Sequence, residues 1–292
     1  MLFRSLRAAA LFLLLAASSL AFPADEEKKD AEPRITEETP YVPSPRIVVD
    51  TMLRMAGVQA NDFLIDLGSG DGRIIITAAK EFRARGFGVD YDPRLVKLAT
   101  TNAAREGVSD RTAFYEQDIF KTDLGQATVV TIYLLPEYNA VLKPKLLALR
   151  PGTRIVSHDY GIGDWEPDAQ ERIPVPDKPV GALKESVIYA WVVPAQVDGR
   201  WRSRVRTSRG SAEIEFNIAQ HNQRFNGTAR LRGKEWPIER AFLKSNYLSF
   251  RVEMDGETLL FQGHVANGRV SGEQIVGDSH VRWRALKVAA RG

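Results

Sequence analysis

The run Asp66-Leu67-Gly68-Ser69-Gly70-Asp71-Gly72 concentrates the residue types in this sequence that could do chemistry. It follows an apolar segment, Phe63 to Ile65, and precedes another, Ile74 to Ala79. Three glycines at alternate positions remove every Cβ from a strand-to-helix turn, which lets backbone N–H groups approach a ligand closely. The spacing is GxGxG. A dinucleotide fingerprint places its third glycine one residue later and needs no acid two residues ahead of the first. Asp66 holds that place, ready for a cationic group. S-adenosylmethionine (AdoMet) carries an ammonium and a sulfonium and has no pyrophosphate, so the loop favours AdoMet over NAD. Asp90 and Asp118 end later apolar segments. Asp90 sits near the interval at which an acid accepts both ribose hydroxyls, and Asp118 is placed to accept from the adenine amine, with Ile119 as an apolar wall. Simple N-capping is the alternative for each acid. Three acids at matching strand ends, together with the glycine loop, favour a cofactor site.

These residues need a scaffold, and the pattern from Tyr41 onward supplies one. Ser44-Pro45 followed by Val48, Val49, Met52, Leu53 and Met55 predicts a capped, proline-started amphipathic helix. Strands are expected at 63–66, 86–90, 112–116, 129–135 and 154–158, with helices at 73–82, 95–106 and 142–149. Such alternation builds a doubly wound, mostly parallel α/β sheet, whose ligands bind outside the carboxyl ends of the strands. After Pro194 the pattern changes to short strands broken by Gly, Asn and Asp. About seven strands follow, with hairpin turns at Asp255-Gly256 and Asn267-Gly268, predicting a small all-β barrel or sandwich over 198–290.

The sequence has 292 residues, 44% hydrophobic and 26% charged, enough for one medium domain and one small one. Residues 1–21 read as an export signal or N-terminal anchor: Arg4 and Arg7, a short apolar stretch, then Ser19 and Ala21 before a cleavage point. This predicts an exported, periplasmic or membrane-associated protein, in tension with a cytoplasmic cofactor. Residues 22–40 form a charged linker with 7 acids and 3 bases. Residues 198–292 carry 17 bases and 10 acids, a net of +7. Within them Arg200, Arg202, Arg204 and Arg206 alternate with Trp201, Ser203 and Val205, so an extended chain puts four guanidiniums on one face. That row either contacts an anionic surface or is a solvated edge strand that resists sheet pairing. There is no cysteine, and the four histidines lack ligand spacing, so no metal is expected.

DLGSGDGR, GVDYDP and EQDIF resemble the successive AdoMet motifs of class I, seven-stranded methyltransferases, over roughly residues 41–194. Within that class YVPSP at 41–45 and TIYLLPEYN at 131–139 resemble the mitochondrial-type protein-lysine methyltransferases, which modify membrane proteins such as the ring protein of ATP synthase and the adenine nucleotide translocase. The resemblance implies a Rossmann-like domain over 41–195 and AdoMet held by Asp66, Gly68, Ser69, Gly70, Asp71, Gly72, Asp90, Asp118 and Ile119. It implies that Tyr41 and Pro43 close over the cofactor. It also implies that Tyr133, Pro136 and Glu137 face a lysine acceptor on a protein, with membrane proteins among the candidates. Ser44 replaces the Thr expected in YVPTP, and the all-β extension is not expected. His158-Asp159-Tyr160 is a second acid/base candidate, with a structural histidine as the alternative. Two other functions are weighed. A nucleic-acid methyltransferase would use the arginine row on phosphate, but the chain has Leu135-Pro136-Glu137 where base methylation commonly uses an Asn/Asp-Pro-Pro-aromatic motif. A catalytically silent exported binding protein would not bind AdoMet.

Overall fold

The computed structural model describes residues 41–181 and 183–289; residues 1–21 and the linker 22–40 lie outside them. A seven-stranded sheet comprises β1 (Phe63–Leu67), β2 (Arg85–Asp90), β3 (Thr112–Glu116), β4 (Val129–Ile132), β5 (Arg154–His158), β6 (Ala169–Pro174) and β7 (Glu185–Val192). Its order is β3-β2-β1-β4-β5-β7-β6. Strands β1 to β5 pair in parallel, and β7 pairs antiparallel with both β5 and β6. The order reverses between β1 and β4, and there the carboxyl ends splay into a crevice.

The strands are apolar on both faces because helices cover both. Leu64, Val129 and Val156 join one core cluster, with Val48 and Met52 of α1 (Arg46–Met55) and Ile75 of α2 (Arg73–Phe82). Their neighbours Ile65, Val130 and Ile155 join the opposite cluster, with Leu142 and Leu146 of α4 (Pro136–Leu147). Helix α3 (Pro93–Arg105) is capped by Asp92, whose carboxylate accepts from Arg94 N–H at 2.8 Å.

The sequence pattern does not place strands β6 and β7, α3 starts at Pro93 rather than residue 95, and the elements beside the crevice also differ from expectation. Strand β4 ends at Ile132, and α4 starts at Pro136 rather than Leu142, because proline suits the first helical position, where no N–H is needed. Helix α1 has Pro45 at its N-cap with no side-chain cap; the Ser44 hydroxyl goes elsewhere.

Beyond the sheet, β8 (Gly199–Thr207), β9 (Gly210–His221), β10 (Arg224–Leu231), β11 (Lys234–Lys244), β12 (Tyr247–Met254), β13 (Glu257–Ala266), β14 (Arg269–Val276) and β15 (Ser279–Lys287) close into an eight-stranded antiparallel barrel. The arginine row is the first strand of this barrel, and it is no edge. It pairs with β9 along its length and with β15 at the closure. Trp201, Phe216, Phe250, Phe261 and Trp283 fill the interior.

Candidate active site

A cavity of about 440 Å³ opens at the reversal of strand order. Every loop glycine has positive φ: 78° at Gly68, 55° at Gly70 and 82° at Gly72. A Cβ on Gly70 would run into the Tyr41 ring, and one on Gly68 would lie 2.8 Å from Leu134 Cδ2. The amides of Gly68 and Ser69 donate to Val89 O, Gly70 N–H to Asp90 Oδ2 at 2.8 Å, and Gly72 N–H to Ser69 O. These loop amides are therefore consumed within the protein. The glycines serve the backbone turn and the close packing of Tyr41 and Leu134, not the release of amides toward a ligand as the spacing alone suggested.

Asp66 sits at the end of β1, fully buried. Its Oδ1 accepts from Thr131 Oγ1 at 2.6 Å across the β1–β4 pairing, and its Oδ2 has no partner. Burial pushes its carboxyl up to about 7; the Thr131 hydrogen bond opposes the rise, and the charges of Asp90 and Asp71 add to it. A buried, partnerless carboxylate oxygen is costly unless a cation completes it. Asp90, also raised chiefly by burial, is held by the amides of Gly70 and Asp92 with its carboxylate on the cavity. Ser69 Oγ is a second buried orphan beside them. Ile119 is buried and lines the cavity. This donor set fits AdoMet: an anion for its ammonium, a fixed carboxylate for its ribose and an apolar wall for its base.

Tyr41, Pro43 and Asp71 line the same cavity, with Tyr41 over Gly70. Burial alone would raise the Asp71 carboxyl, but the Arg73 guanidinium, bonded to both its oxygens at 2.9 and 2.6 Å, holds it below the usual range. Arg73 also donates to Ser44 O at 2.7 Å, tying the 41–45 segment to the glycine loop. Arg73 was missed in the sequence; its place two residues after an acid at a helix start was the available signal.

The structure does not bring Asp118 into the cavity wall. Its Oδ1 accepts from Phe120 N–H at 2.8 Å, its backbone carbonyl takes the amides of Lys121 and Thr122, and its Oδ2 lies 3.4 Å from Lys121 Nζ. Tyr91, directly after Asp90, lines the cavity instead and was not foreseen. On the far wall stand Tyr133, Leu134, Leu135, Tyr138 and Tyr160. Pro136 and Glu137 do not join them. Both are exposed on the first turn of α4, a consequence of the early helix start.

His158 is neither in the cavity wall nor free. It is 1% exposed, with Nδ1 at 2.9 Å from Ser44 Oγ and Nε2 at 2.9 Å from Ser186 Oγ. Burial pushes its pKa down to about 4, against the pull of Asp159, so it is neutral near pH 7, with one nitrogen donating and the other accepting. Its ring lies against Tyr133 with centroids 3.9 Å apart, and Tyr133 in turn lies near-parallel to Tyr160. Burial and the neighbouring Asp159 push the Tyr133 phenol up to about 12. The histidine thus links the segment over the cofactor loop to the aromatic wall.

The sequence model of the ANTKMT methyltransferase domain matches residues 66–169, a stretch that ends ahead of the barrel. A protein-lysine N-methyltransferase of Saccharolobus islandicus is 46% identical over 156 residues, which are 53% of this chain and 93% of that protein. The adenine nucleotide translocase lysine N-methyltransferase of Mus musculus is 32% identical over 133 residues, 45% of this chain and 58% of that protein. Among solved structures, an RNA methyltransferase from Salinibacter ruber in complex with S-adenosyl-L-homocysteine is 46% identical, covering 53% of this chain and 96% of its own, with a TM-score of 0.48. Similar to the Saccharolobus enzyme along nearly its whole length, and carrying an acid-lined cavity that suits AdoMet, the chain belongs to that enzyme's family of AdoMet-dependent methyltransferases.

Proposed function

We propose that this enzyme transfers a methyl group from AdoMet to the side-chain amine of a lysine in a protein. One observation carries the reading: Asp66, whose Oδ2 is buried and partnerless, lines a cavity that is also lined by the aromatic and aliphatic set Tyr133, Leu134, Leu135 and Tyr160. The similarity to lysine N-methyltransferases of Saccharolobus and Mus musculus supports the lysine acceptor. In this reading Asp66 holds the cofactor ammonium, Asp90 its ribose hydroxyls and Ile119 its base. Bound AdoMet supplies a methyl carbon activated by a sulfonium.

The acceptor must arrive neutral, because an ammonium has no lone pair. Deprotonating a lysine of pKa about 10.4 at pH 7 costs about 4.6 kcal/mol, and an apolar wall that disfavours the charged form offsets part of it. Tyr133, protonated throughout the physiological range, serves as a hydrogen-bonding partner for the amine, not as its base. The wall then contributes by orientation and exclusion of water, which suits an in-line displacement.

The setting is part of the proposal. Residues 1–21, outside the described residues, read as an export signal or anchor, which would put the substrate protein at or beyond a membrane. Full-length chain and radiolabelled AdoMet, added to cytosolic, membrane and periplasmic extracts of cells lacking the gene, should label lysine in a membrane or periplasmic protein. Label in RNA alone, or none, overturns the acceptor. Lysine label confined to cytosolic proteins overturns the setting.

A further inference from the structure

We infer that the closing seam of the barrel is a docking face for an anionic phospholipid surface. Strands β8 and β15 are the first and last of the barrel, and the closure makes them neighbours, with Ser203 opposite Ala285 and Arg202 opposite Leu286. Neither strand contains an acidic residue. Arg200, Arg202, Arg204 and Arg206 on β8 and Arg282 and Arg284 on β15 are all exposed on the outer face. Arg202 has Glu215 at 3.6 Å; among the described residues the other five have no carboxylate within ion-pairing distance. Of the other strands β10 also lacks an acid, whereas β9 and β11 to β14 each carry at least one glutamate.

Glu213, Glu215 and Glu273 on the flanking strands stand opposite Arg204, Arg202 and Arg282, so six arginines against three glutamates leave the face net positive, which favours phosphate. At about 3.3 Å per residue the β8 row alone runs about 20 Å, long enough to meet several headgroups. The aromatics of these strands decide between lipid and nucleic acid. Trp201 and Trp283 point inward, 1% and 2% exposed, leaving His280 at one end of β15 as the exposed ring of these strands, so the basic face offers no row of rings on which successive bases could stack. What it does offer is Leu286, 53% exposed beside Arg202, an aliphatic contact suited to the headgroup–acyl boundary. This inference is independent of the acceptor proposed above, because its test reads lipid binding and not methylation.

The experiment is vesicle sedimentation of the full chain with phosphatidylcholine alone and with a phosphatidylglycerol–phosphatidylcholine mixture, at low and high salt. The readout is the phosphatidylglycerol-dependent part of binding, so any contribution of residues 1–21 is common to all chains compared. That part should be present in the wild type, fall as salt rises, and drop about 25-fold in R204A/R284A, about fivefold per arginine. The denaturant unfolding midpoint of that variant should be unchanged, which reports an intact barrel. The matched R240A/K244A variant, on β11, should change it by less than about twofold. No preference for phosphatidylglycerol, an equal drop in R240A/K244A, or an R204A/R284A effect confined to binding of random single-stranded RNA would each overturn the inference.

Discussion

The sheet and the barrel bury different kinds of side chain. Among the described residues fourteen polar or charged side chains are buried in the sheet half, from Ser44 to Ser186, against two in the barrel, Ser203 and Gln274. Those two are satisfied: Ser203 Oγ accepts from Trp283 Nε1 and donates to Arg284 O, and Gln274 bonds the backbone of Arg206 in both directions. Every buried side-chain N or O left without a partner among the described residues belongs to the sheet: Asp66, Ser69, Asn139 and Trp165. An unmade buried hydrogen bond costs about 1–3 kcal/mol, so such atoms persist where a ligand completes them or where function overrides packing. The barrel interior has nothing left to satisfy, and its chemistry is confined to its outer surface.

Four substitutions sharpen or break this contrast. The largest effect is expected in the barrel. Trp283→Ala removes a ring packed on Phe216, Phe250 and Phe261 and should cost about 3–5 kcal/mol in denaturant unfolding while leaving AdoMet affinity intact by calorimetry. A matching fall in affinity would show that the two halves do not act separately.

In the sheet, Gly70→Ala forces a Cβ against Tyr41 at a positive φ and should weaken AdoMet binding about 100-fold, or about 3 kcal/mol. Retained affinity would mean that Tyr41 does not need its place over the loop.

Asp66→Asn should weaken binding about 30-fold, the loss of a charge-assisted contact. Its pH dependence is the sharper readout. With the folded carboxyl raised to about 7, wild-type affinity should fall toward tenfold per pH unit below 7, as Asp66 protonates, and the variant should be flat. Stability without ligand moves oppositely. The folded state binds more protons than the unfolded between about 4 and 7, so stability is lost as pH rises through that window, and Asp66→Asn should remove this slope. Wild-type affinity independent of pH would detach Asp66 from the cofactor.

The smallest effect is expected at Ser44→Ala, which strips His158 of one hydroxyl. It should cost about 1 kcal/mol, read as a fivefold rise in KM for AdoMet, with Ser44→Thr restoring most of it. A change in kcat alone would place the histidine network with the acceptor instead.

The sheet was largely legible because its signals are local. Apolar runs of strand length, glycines where φ must be positive and acids at strand ends all act within a few residues, and Asp66, Asp90 and Ile119 lie where that reading put them. It failed where a side chain had two uses. Asp118 at a turn start can serve both a ligand and the Phe120 amide, and its Oδ1 bonds that amide outside the cavity wall. Glu137 follows an apolar strand pattern that reads as a loop, but the helix-starting preference of Pro136 draws it into the first turn of α4.

The sequence by itself determined the conformations that short-range sterics and periodicity dictate: the left-handed glycine loop, the parallel strands with their acids, and a β-rich module with an alternating arginine strand. Only the tertiary structure decided the partners. Ser44 meets His158 across 114 positions, and Thr131 meets Asp66 across 65. Barrel closure lays Arg202 beside Leu286, making a strand that could have been an edge into half of a basic seam. The physical reason is that periodicity encodes which face of an element is buried, whereas the neighbour on that face is chosen by packing and hydrogen bonding over the whole fold.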